Sequence, residues 1–277
     1  MAAIPATYSA GMGASRLARA LSDLREGIAA YPAWGLLGWQ DIKQRYRRSV
    51  IGPFWFTIST GVFVAALGAL YGGLLHQPLD TYIPYIGVGM VAWGMISSMA
   101  NEACTVFTGS EQMIRQVRAP LTLHVCRMVW RNLLIFFHNA LILVVLLLYF
   151  WKGLHWQLLT VPLSIAVYAA TGVWSGLLLG IFCARFRDIA PIVANLLQVL
   201  FFATPIMWRP DMLKARGLAW IGEFNPLHHL ITILRAPLIG DPFPVLSWLV
   251  VLVITAVGFL LALWALRRYR HRVPYWL

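Results

Sequence analysis

The sequence predicts an all-α integral membrane protein with six transmembrane helices, an N-terminal interfacial helix and two short re-entrant periplasmic helices between spans five and six. Of its 277 residues, 60% are hydrophobic and only 12% are charged, and the mean hydropathy is +0.72. Soluble domains carry about 25% charged and about 45–50% apolar residues. A soluble fold of this length could not bury so much apolar surface, whereas a bilayer accommodates it.

The transmembrane spans follow from segment length. A helix rises about 1.5 Å per residue, so about 20 apolar residues cross a hydrocarbon core of about 30 Å. Six stretches reach that length, with predicted bounds 53–75, 82–107, 122–151, 156–184, 189–208 and 242–266. Residues 34–277 therefore form the transmembrane domain. Residues 1–33 form a cytoplasmic extension that we expect to be partly disordered and to which the sequence assigns no function.

The charge distribution orients these spans. The net charge is +12, with 22 Lys and Arg residues. With the N-terminus inside, 17 of these basic residues fall on the cytoplasmic side and 5 on the other, which is a strong positive-inside bias. The same distribution argues against nucleic acid as a partner, because the charges lie between apolar runs rather than on one basic face. Both termini are predicted to be cytoplasmic; the resemblance described below implies that the membrane is a bacterial inner membrane.

Residues 34–50 predict a helix that lies on the membrane surface. Trp39, Ile42 and Tyr46 share one face at helical spacing, and basic residues cover the rest, as in interfacial helices on anionic leaflets. The alternative is a solvated charge cluster that only enforces orientation. The basic and amide residues concerned are Lys43, Gln44, Arg45, Arg47 and Arg48.

The loop between spans two and three predicts a short cytoplasmic helix. Thr108 and Glu111 match the S/T-x-x-E capping box, and Pro120 supplies a stop. A helix of about two turns fits between them, and a short capped helix suits docking into a groove of another protein. The alternative is an ordinary connection.

The segment from Arg209 to Asp241 is too apolar for a solvated loop and too interrupted to span. We expect two short helices that dip into the outer leaflet and are separated by a break at Asn225–Pro226. The neighbouring His228 and His229 invite a metal interpretation, but adjacent residues on a helix point to different faces, so no metal site is predicted.

Two further patterns concern packing and the pore. Gly172, Gly176 and Gly180 recur at four-residue spacing, which allows close helix approach within the subunit or across a dimer. Aromatic residues are dense in spans one and five, where they serve either packing or a pore wall that stacks on sugar rings. The pore candidates are Phe54, Trp55, Phe63, Phe201 and Phe202.

Enzyme motifs are absent from the sequence. It contains no GxxxxGK[ST] phosphate loop, no H-E-x-x-H motif and no G-x-S-x-G motif, so we predict neither a catalytic residue nor a cofactor in this chain. A membrane-embedded polyprenyl-phosphate transferase remains a rival interpretation, with Glu102, Asp211 and His228 as candidate groups. Glu102 fits equally well as a helix-end charge that reaches the headgroups. The sequence also lacks the midplane charges and internal repeats that are typical of secondary transporters. If this chain transports a substrate against a gradient, the energy must therefore come from another protein.

Five segments, taken in order, resemble a known family. They are DIKQRYRRSVIGPFW, FTGSEQMIRQVRAPLTLHVCR, ARFRDIAPIVANLLQVLFFATPIMW, NPLHHLITILRAPLIG and RRYRHRVPYWL. Together they resemble the permeases of type-2 ABC polysaccharide exporters, most of all the Wzm-type O-antigen permeases. Permeases for capsule, for teichoic acid or for other type-2 ABC substrates are the alternatives. The resemblance covers residues 34–277.

The resemblance implies a transporter of two permease copies and two separate ATPase subunits, which bind ATP and Mg. Its substrate would be a glycan carried on polyprenyl diphosphate and moved from cytoplasm to periplasm. The ATPase-coupling helix would span Glu111 to Arg118, with Gln112 and Arg115 on it. Trp34 to Arg48 would form the gate or interface helix at the substrate's cytoplasmic entrance. Two further assignments go with the resemblance. The lipid diphosphate would bind at Arg45, Arg47 and Arg48. The periplasmic gate would include Trp220, Asn225, Pro226, His228 and His229.

Overall fold

The computed structural model describes residues 15–47, 52, 54–74, 77–150, 153, 155–211, 217 and 220–277, and these residues form helices and connections without a β-strand. The helices are α1 (Arg16–Ala29), α2 (Tyr31–Tyr46), α3 (Phe54–Leu74), α4 (Leu79–Thr105), α5 (Glu111–Gln116), α6 (Leu121–Tyr149), α7 (Val161–Arg185), α8 (Ile189–Ala203), α9 (Trp220–Glu223), α10 (Pro226–Ile239), α11 (Val245–Tyr269) and α12 (Val273–Trp276). Short 3₁₀ turns at Thr108–Ser110 and Trp156–Thr160 precede α5 and α7.

Five helical segments of the described chain are long and apolar enough to cross a membrane: α3, α4, α6, α7 with its 3₁₀ turn, and α11. Helix α4 is central, since it packs against α3, α6, α7, α8 and α10. The all-helical membrane architecture agrees with the sequence prediction. The observed bounds differ from the predicted ones by a few residues at most ends of these five.

The predicted fifth span, 189–208, is the exception, because α8 ends at Ala203. The Thr204 amide and hydroxyl both donate to the carbonyl of Leu200, and Pro205 follows, which disfavours helix at the residue before it and has no amide hydrogen to donate. The expected 20-residue span is therefore a 15-residue helix followed by an irregular segment.

The glycines of α7 bring this helix close to its neighbours within the subunit. A Cβ on Gly176 would lie 2.6 Å from Val125 Cγ1, and one on Gly180 would lie 2.6 Å from Val106 Cγ1. Gly172 meets the side chains of Met99 and Val129 in the same way. The two alternatives for this pattern are thus resolved in favour of packing inside one chain.

The N-terminal extension is helical from Arg16 onward, and α1 packs against α6 and α11. Asp23 of α1 is fully buried. Its carboxylate accepts the backbone amides of Leu121 and Thr122, at 3.1 Å each, and pairs with Arg270 Nε at 2.7 Å. Because the first amides of a helix have no partner inside it, Asp23 acts as an N-cap for α6 supplied by another helix.

The break predicted at Asn225–Pro226 is confirmed, with α9 before it and α10 after it. Asn225 Oδ1 accepts the amides of Leu227 and His228, and Pro226 occupies the first turn, where its missing amide hydrogen costs nothing. The helix ends at Gly240, whose φ of 78° is left-handed, as at many helix C-termini.

Candidate functional site

Charged side chains form one connected set where α2, α4 and α6 meet. Arg131 bridges two carboxylates: its Nη1 lies 2.6 Å from Asp41 Oδ2, and its Nη2 lies 2.7 Å from Glu102 Oε2. Arg127 adds two bonds to Asp41, at 2.8 Å from Nε and 2.5 Å from Nη2. Arg45 Nη2 completes the set at 3.2 Å from Glu102 Oε1. We call Asp41, Arg45, Glu102, Arg127 and Arg131 the acid–arginine network.

The network is mostly shielded from solvent, and each of its three arginines contacts at least one of its two carboxylates. Burial alone raises the pKa of Asp41, but hydrogen bonds and charge from Arg127 and Arg131 reverse this and hold that pKa below its ordinary value. Asp41 is therefore a permanent anion near neutral pH. Glu102 also accepts Asn132 Nδ2 at 2.8 Å, so its carboxylate has a structural role rather than merely reaching for headgroups.

Sequence reasoning missed Asp41, Arg127 and Arg131 as a unit. The available signal was the scarcity of acids: the chain has 10 Asp and Glu residues, and two of these, Asp41 and Glu102, lie near helix ends on the side predicted to carry most of the basic residues. An acid among basic residues at the level of the membrane surface needs a partner. Which arginine serves as the partner depends on helix packing.

The three arginines predicted to meet a lipid diphosphate differ in their surroundings. Arg45 forms an ion pair with Glu102, although 46% of the arginine side chain is exposed. Arg47, just past the end of α2, is exposed. Arg48 lies outside the described residues. A cavity of about 120 Å³ beside Arg45 is lined by both polar and apolar side chains, and the Ser98 hydroxyl in it already donates to Asn132 Oδ1.

Helix α5 lies on the surface of the bundle and ends at Gln116, so the helix predicted to reach Arg118 is two residues shorter, because Val117 is extended. Gln112 on the helix and Arg118 after it are both exposed. Glu111 and Arg115 form an i,i+4 ion pair at 2.9 Å. The expected capping box is wrong, because Thr108 lies in the 3₁₀ turn and its hydroxyl donates to the carbonyl of Thr105. The preceding 3₁₀ turn places Thr108 inside the helical run rather than at its start.

The predicted pore aromatics divide into two groups. Phe54, Trp55, Phe63 and Phe202 have exposed side chains, that of Phe202 to 71%. Phe201 is half-buried and packs on Trp93 with ring centroids 5.6 Å apart. Helices α3 and α8, which carry these residues, both pack on α4. Apolar rings on their outer faces must meet lipid, a second subunit or a substrate.

The periplasmic-gate candidates are held by internal bonds. His229 is buried, with Nδ1 3.0 Å from Ser247 Oγ and Nε2 2.7 Å from the carbonyl of Glu223. His228 lies beside Thr232, and Trp220 is exposed. Among the residues that the structure describes, no group of three or more His, Cys, Asp or Glu side chains could hold a metal.

A tyrosine of α4 fastens the irregular segment after α8. The hydroxyl of Tyr85 lies within hydrogen-bonding distance of the carbonyls of Pro205 and Trp208. The buried Arg235 stacks on the Tyr85 ring at 3.9 Å and donates to the carbonyl of Pro205, and Arg209 stacks at 4.9 Å. Sequence reasoning missed this arrangement, which ties α4, α8 and α10 together at the periplasmic-gate candidates.

Comparison with known proteins gives consistent matches. An O-antigen export system permease protein RfbA of Myxococcus xanthus is 23% identical over 200 residues, covering 71% of this chain and 76% of that protein. Two proteins of the same name from Klebsiella pneumoniae are 23% identical over 69% of this chain and 74% of the relative, and 22% identical over 81% and 85%. Residues 32–239 match the family described as ABC-2 type transporter. With helices long and apolar enough to span a membrane and a family match over most of its length, this membrane protein belongs to the ABC-2 type transporter family.

Proposed function

We propose that this chain is the membrane-spanning subunit of an exporter for polyprenyl-diphosphate-linked polysaccharide, O-antigen in the first instance. The observation that carries the proposal is the similarity, over more than two thirds of the chain, to three proteins named O-antigen export permeases. Two copies would pair with two separate ATPase subunits, which bind ATP and Mg and supply the energy. The test is export in a strain lacking this chain: glycan on polyprenyl diphosphate should accumulate at the cytoplasmic face of the membrane and be exported when the chain is restored.

In this proposal the chain crosses a bacterial inner membrane six times, with both termini cytoplasmic. Helix α8 is about 22 Å long at about 1.5 Å per residue, shorter than a hydrocarbon core of about 30 Å. The irregular segment 204–208 would complete the fifth pass where Tyr85 and Arg235 cover its carbonyls, since uncovered backbone is not tolerated at that depth. Helices α9 and α10 would be the re-entrant periplasmic pair.

The diphosphate of the carrier lipid would meet the basic end of α2. Guanidinium groups pair with phosphate oxygens through two parallel hydrogen bonds. Arg47 is exposed, whereas Arg45 would have to share its guanidinium between Glu102 and the diphosphate. We therefore expect Arg47, together with Arg48, to make the first contact.

The double variant Arg47→Gln/Arg48→Gln tests this step. Export should fall while membrane insertion and ATPase association persist, because only headgroup contacts are lost. The exposed Arg187, also on the basic side, is the control: Arg187→Gln should export normally. Normal export by the double variant would reject the diphosphate role.

Helix α5 would be the contact that transmits ATP hydrolysis to the membrane helices. A swap of the ion pair separates docking from helix stability. Glu111→Arg and Arg115→Glu together keep an i,i+4 pair but reverse the charges offered to a partner, whereas each single reversal also breaks the pair. Docking predicts that the swap still lowers ATPase copurification or transport-coupled hydrolysis, and that Arg118→Glu does the same. If the swap variant recovers full ATPase copurification and transport-coupled hydrolysis, Glu111 and Arg115 only stabilise the helix.

The exposed aromatics of α3 and α8 would line the glycan path between two copies of the chain. Trp55→Ala and Phe202→Ala should slow export, because sugar rings lose their stacking surface. Tyr149, an exposed aromatic of α6, provides a control whose alanine variant should export at the normal rate. If all three variants export equally, the rings serve lipid contact and packing.

A polyprenyl-phosphate transferase is the weaker candidate. One of its three candidate groups, Glu102, accepts bonds from Arg45, Arg131 and Asn132, so both of its oxygens are engaged in contacts within the protein. Exporters for capsule, teichoic acid or other substrates differ from the first proposal only in cargo. The glycan that accumulates on polyprenyl diphosphate in the null strain distinguishes them.

A further inference from the structure

A second basic region lies between α1, the segment after α5 and the end of α11. It is a cleft of about 510 Å³, on the same side of the bundle as the positively charged loops. We call it the arginine cleft and define it by four of the basic residues that line it: Arg16, Arg19, Arg267 and His271. Arg118 reaches it from the segment proposed to dock on the ATPase, and Arg270 lines it while paired with Asp23.

The charges of the arginine cleft are not neutralised by the protein. Asp23 is buried beneath it and is already paired with Arg270. Within the described part of the chain, no carboxylate forms an ion pair with Arg16, Arg19, Arg118 or Arg267. Like charges held together at a cleft without counterions favour an anionic ligand.

The cleft continues toward the membrane. A neighbouring cavity of about 540 Å³ shares Arg16 and Arg267 with it and is also lined by Trp264, Arg268 and Tyr269. Trp264 belongs to a membrane-crossing helix, and 52% of it is exposed. Exposed tryptophans next to arginines at the end of a span are typical of the level of the lipid headgroups.

The outer face of α1 supports the same position. Leu17, Leu21 and Ile28 share one stripe at helical spacing, and all three are exposed. An amphipathic helix with an exposed apolar stripe beside basic residues lies in the membrane interface. The cleft therefore opens beside lipid and combines arginines with an apolar path along Trp264.

We propose that the arginine cleft binds the phosphate of an anionic phospholipid, with Arg16 and Arg267 as its main ligands. Guanidinium groups match phosphate oxygens in geometry and charge, and Trp264 would lie against the glycerol and upper acyl region. An acidic segment of a partner protein would satisfy the arginines too. It would have no use for the apolar continuation into the membrane, so the lipid is favoured.

The test compares two double variants of the purified full-length chain with equal loss of charge. Arg16→Gln/Arg267→Gln removes cleft ligands, whereas Arg25→Gln/Arg187→Gln removes exposed arginines outside the cleft. Binding of phosphatidylglycerol is titrated in phosphatidylcholine nanodiscs and read as lipid retained in native mass spectra. Each arginine near a membrane surface contributes about a five-fold change in affinity, so the cleft variant should bind about 25-fold more weakly.

The conservative variant Arg16→Lys/Arg267→Lys should keep most of the affinity, which separates loss of charge from misfolding. Excess inorganic phosphate should not displace the lipid. Equal affinities of the two Gln double variants would overturn the proposal, as would displacement by inorganic phosphate. Retained lipid binding together with lost ATPase copurification in the cleft variant would assign the cleft to the protein partner instead.

Discussion

Two arginine-rich regions at the basic side of the bundle use the same side chain for opposite purposes. In the acid–arginine network, Arg127 and Arg131 are enclosed by helices and their charges meet Asp41 and Glu102. In the arginine cleft, Arg16 and Arg267 lie on exposed surfaces without carboxylate partners among the described residues. The acid–arginine network joins three helices, whereas the arginine cleft leaves its positive charge available to a ligand.

The difference teaches how to separate structural from ligand-binding arginines in a membrane protein. A partly buried charge without any polar partner would cost several kcal/mol, so an enclosed arginine needs partners inside the chain: carboxylates in the network, or a carbonyl and an aromatic ring in the case of Arg235. An exposed arginine at the headgroup level has no such requirement, and its partner can be lipid or another protein. Removing an arginine should therefore destabilise the fold in the network but not in the cleft.

The largest effect is expected for Arg131→Gln. It leaves Asp41 and Glu102 each without one partner in a largely enclosed site, and breaking such a pair costs about 3 kcal/mol. The measurement is the free energy of unfolding in mixed detergent, with Arg187→Gln as control, for which we expect a change within about 0.5 kcal/mol. Equal stabilities of the two variants would mean that the network contributes nothing to the fold.

Asp23→Asn should follow, with a loss of about 2 kcal/mol in the free energy of unfolding. The amide keeps one acceptor for the amides of Leu121 or Thr122 but withdraws the negative charge from Arg270. If a truncation that removes α1 altogether is as stable as the full chain, the capping contact is dispensable.

The sequence was most informative where local residues decide the backbone. Asn225 and Pro226 are strong helix-start signals and Gly240 is a strong helix-stop signal, and α10 begins and ends at these residues. Hydropathy overestimated the length of the helix in predicted span five, because the apolar run continues to Trp208, whereas the Thr204–Pro205 pair ends the helix. Hydropathy measures solvation and does not detect a missing amide hydrogen.

The sites depended on contacts that no local pattern contains. Asp23 in an amphipathic helix looks like a solvated acid, and its burial becomes visible only when the first amides of α6 are placed against it. In the same way, the glycines of α7 predicted close packing, but only the fold identifies α4 and α6 as the partners. Spacing along one helix carries no information about which helix lies opposite.

Neutralising arginines of the arginine cleft should change the free energy of unfolding in the opposite direction to neutralising arginines of the acid–arginine network. In detergent without anionic lipid, Arg16→Gln/Arg267→Gln should leave the free energy of unfolding unchanged or raise it by up to about 0.5 kcal/mol, since it relieves repulsion between like charges. The gain should shrink at high salt, which screens exposed charges. A loss comparable to that of Arg131→Gln would mean that the cleft arginines have structural partners after all.

The smallest effect concerns pH. Partial burial lowers the pKa of His271, and the positive charges of Arg272, Arg16, Arg19 and Arg268 lower it further. The unfolded chain, with an ordinary histidine pKa of about 6.5, then binds more protons than the folded chain below that pH. His271 therefore costs nothing above about pH 6.5 and destabilises the fold as the pH falls below it, by less than about 0.5 kcal/mol for so exposed a group.

In His271→Gln the fall in stability at acid pH should be slightly shallower than in the unmodified chain. Arg16→Gln should also reduce the slope, because it restores the histidine pKa toward its ordinary value. Identical pH profiles for all three proteins would show that the cleft carries too little positive potential to attract an anionic headgroup.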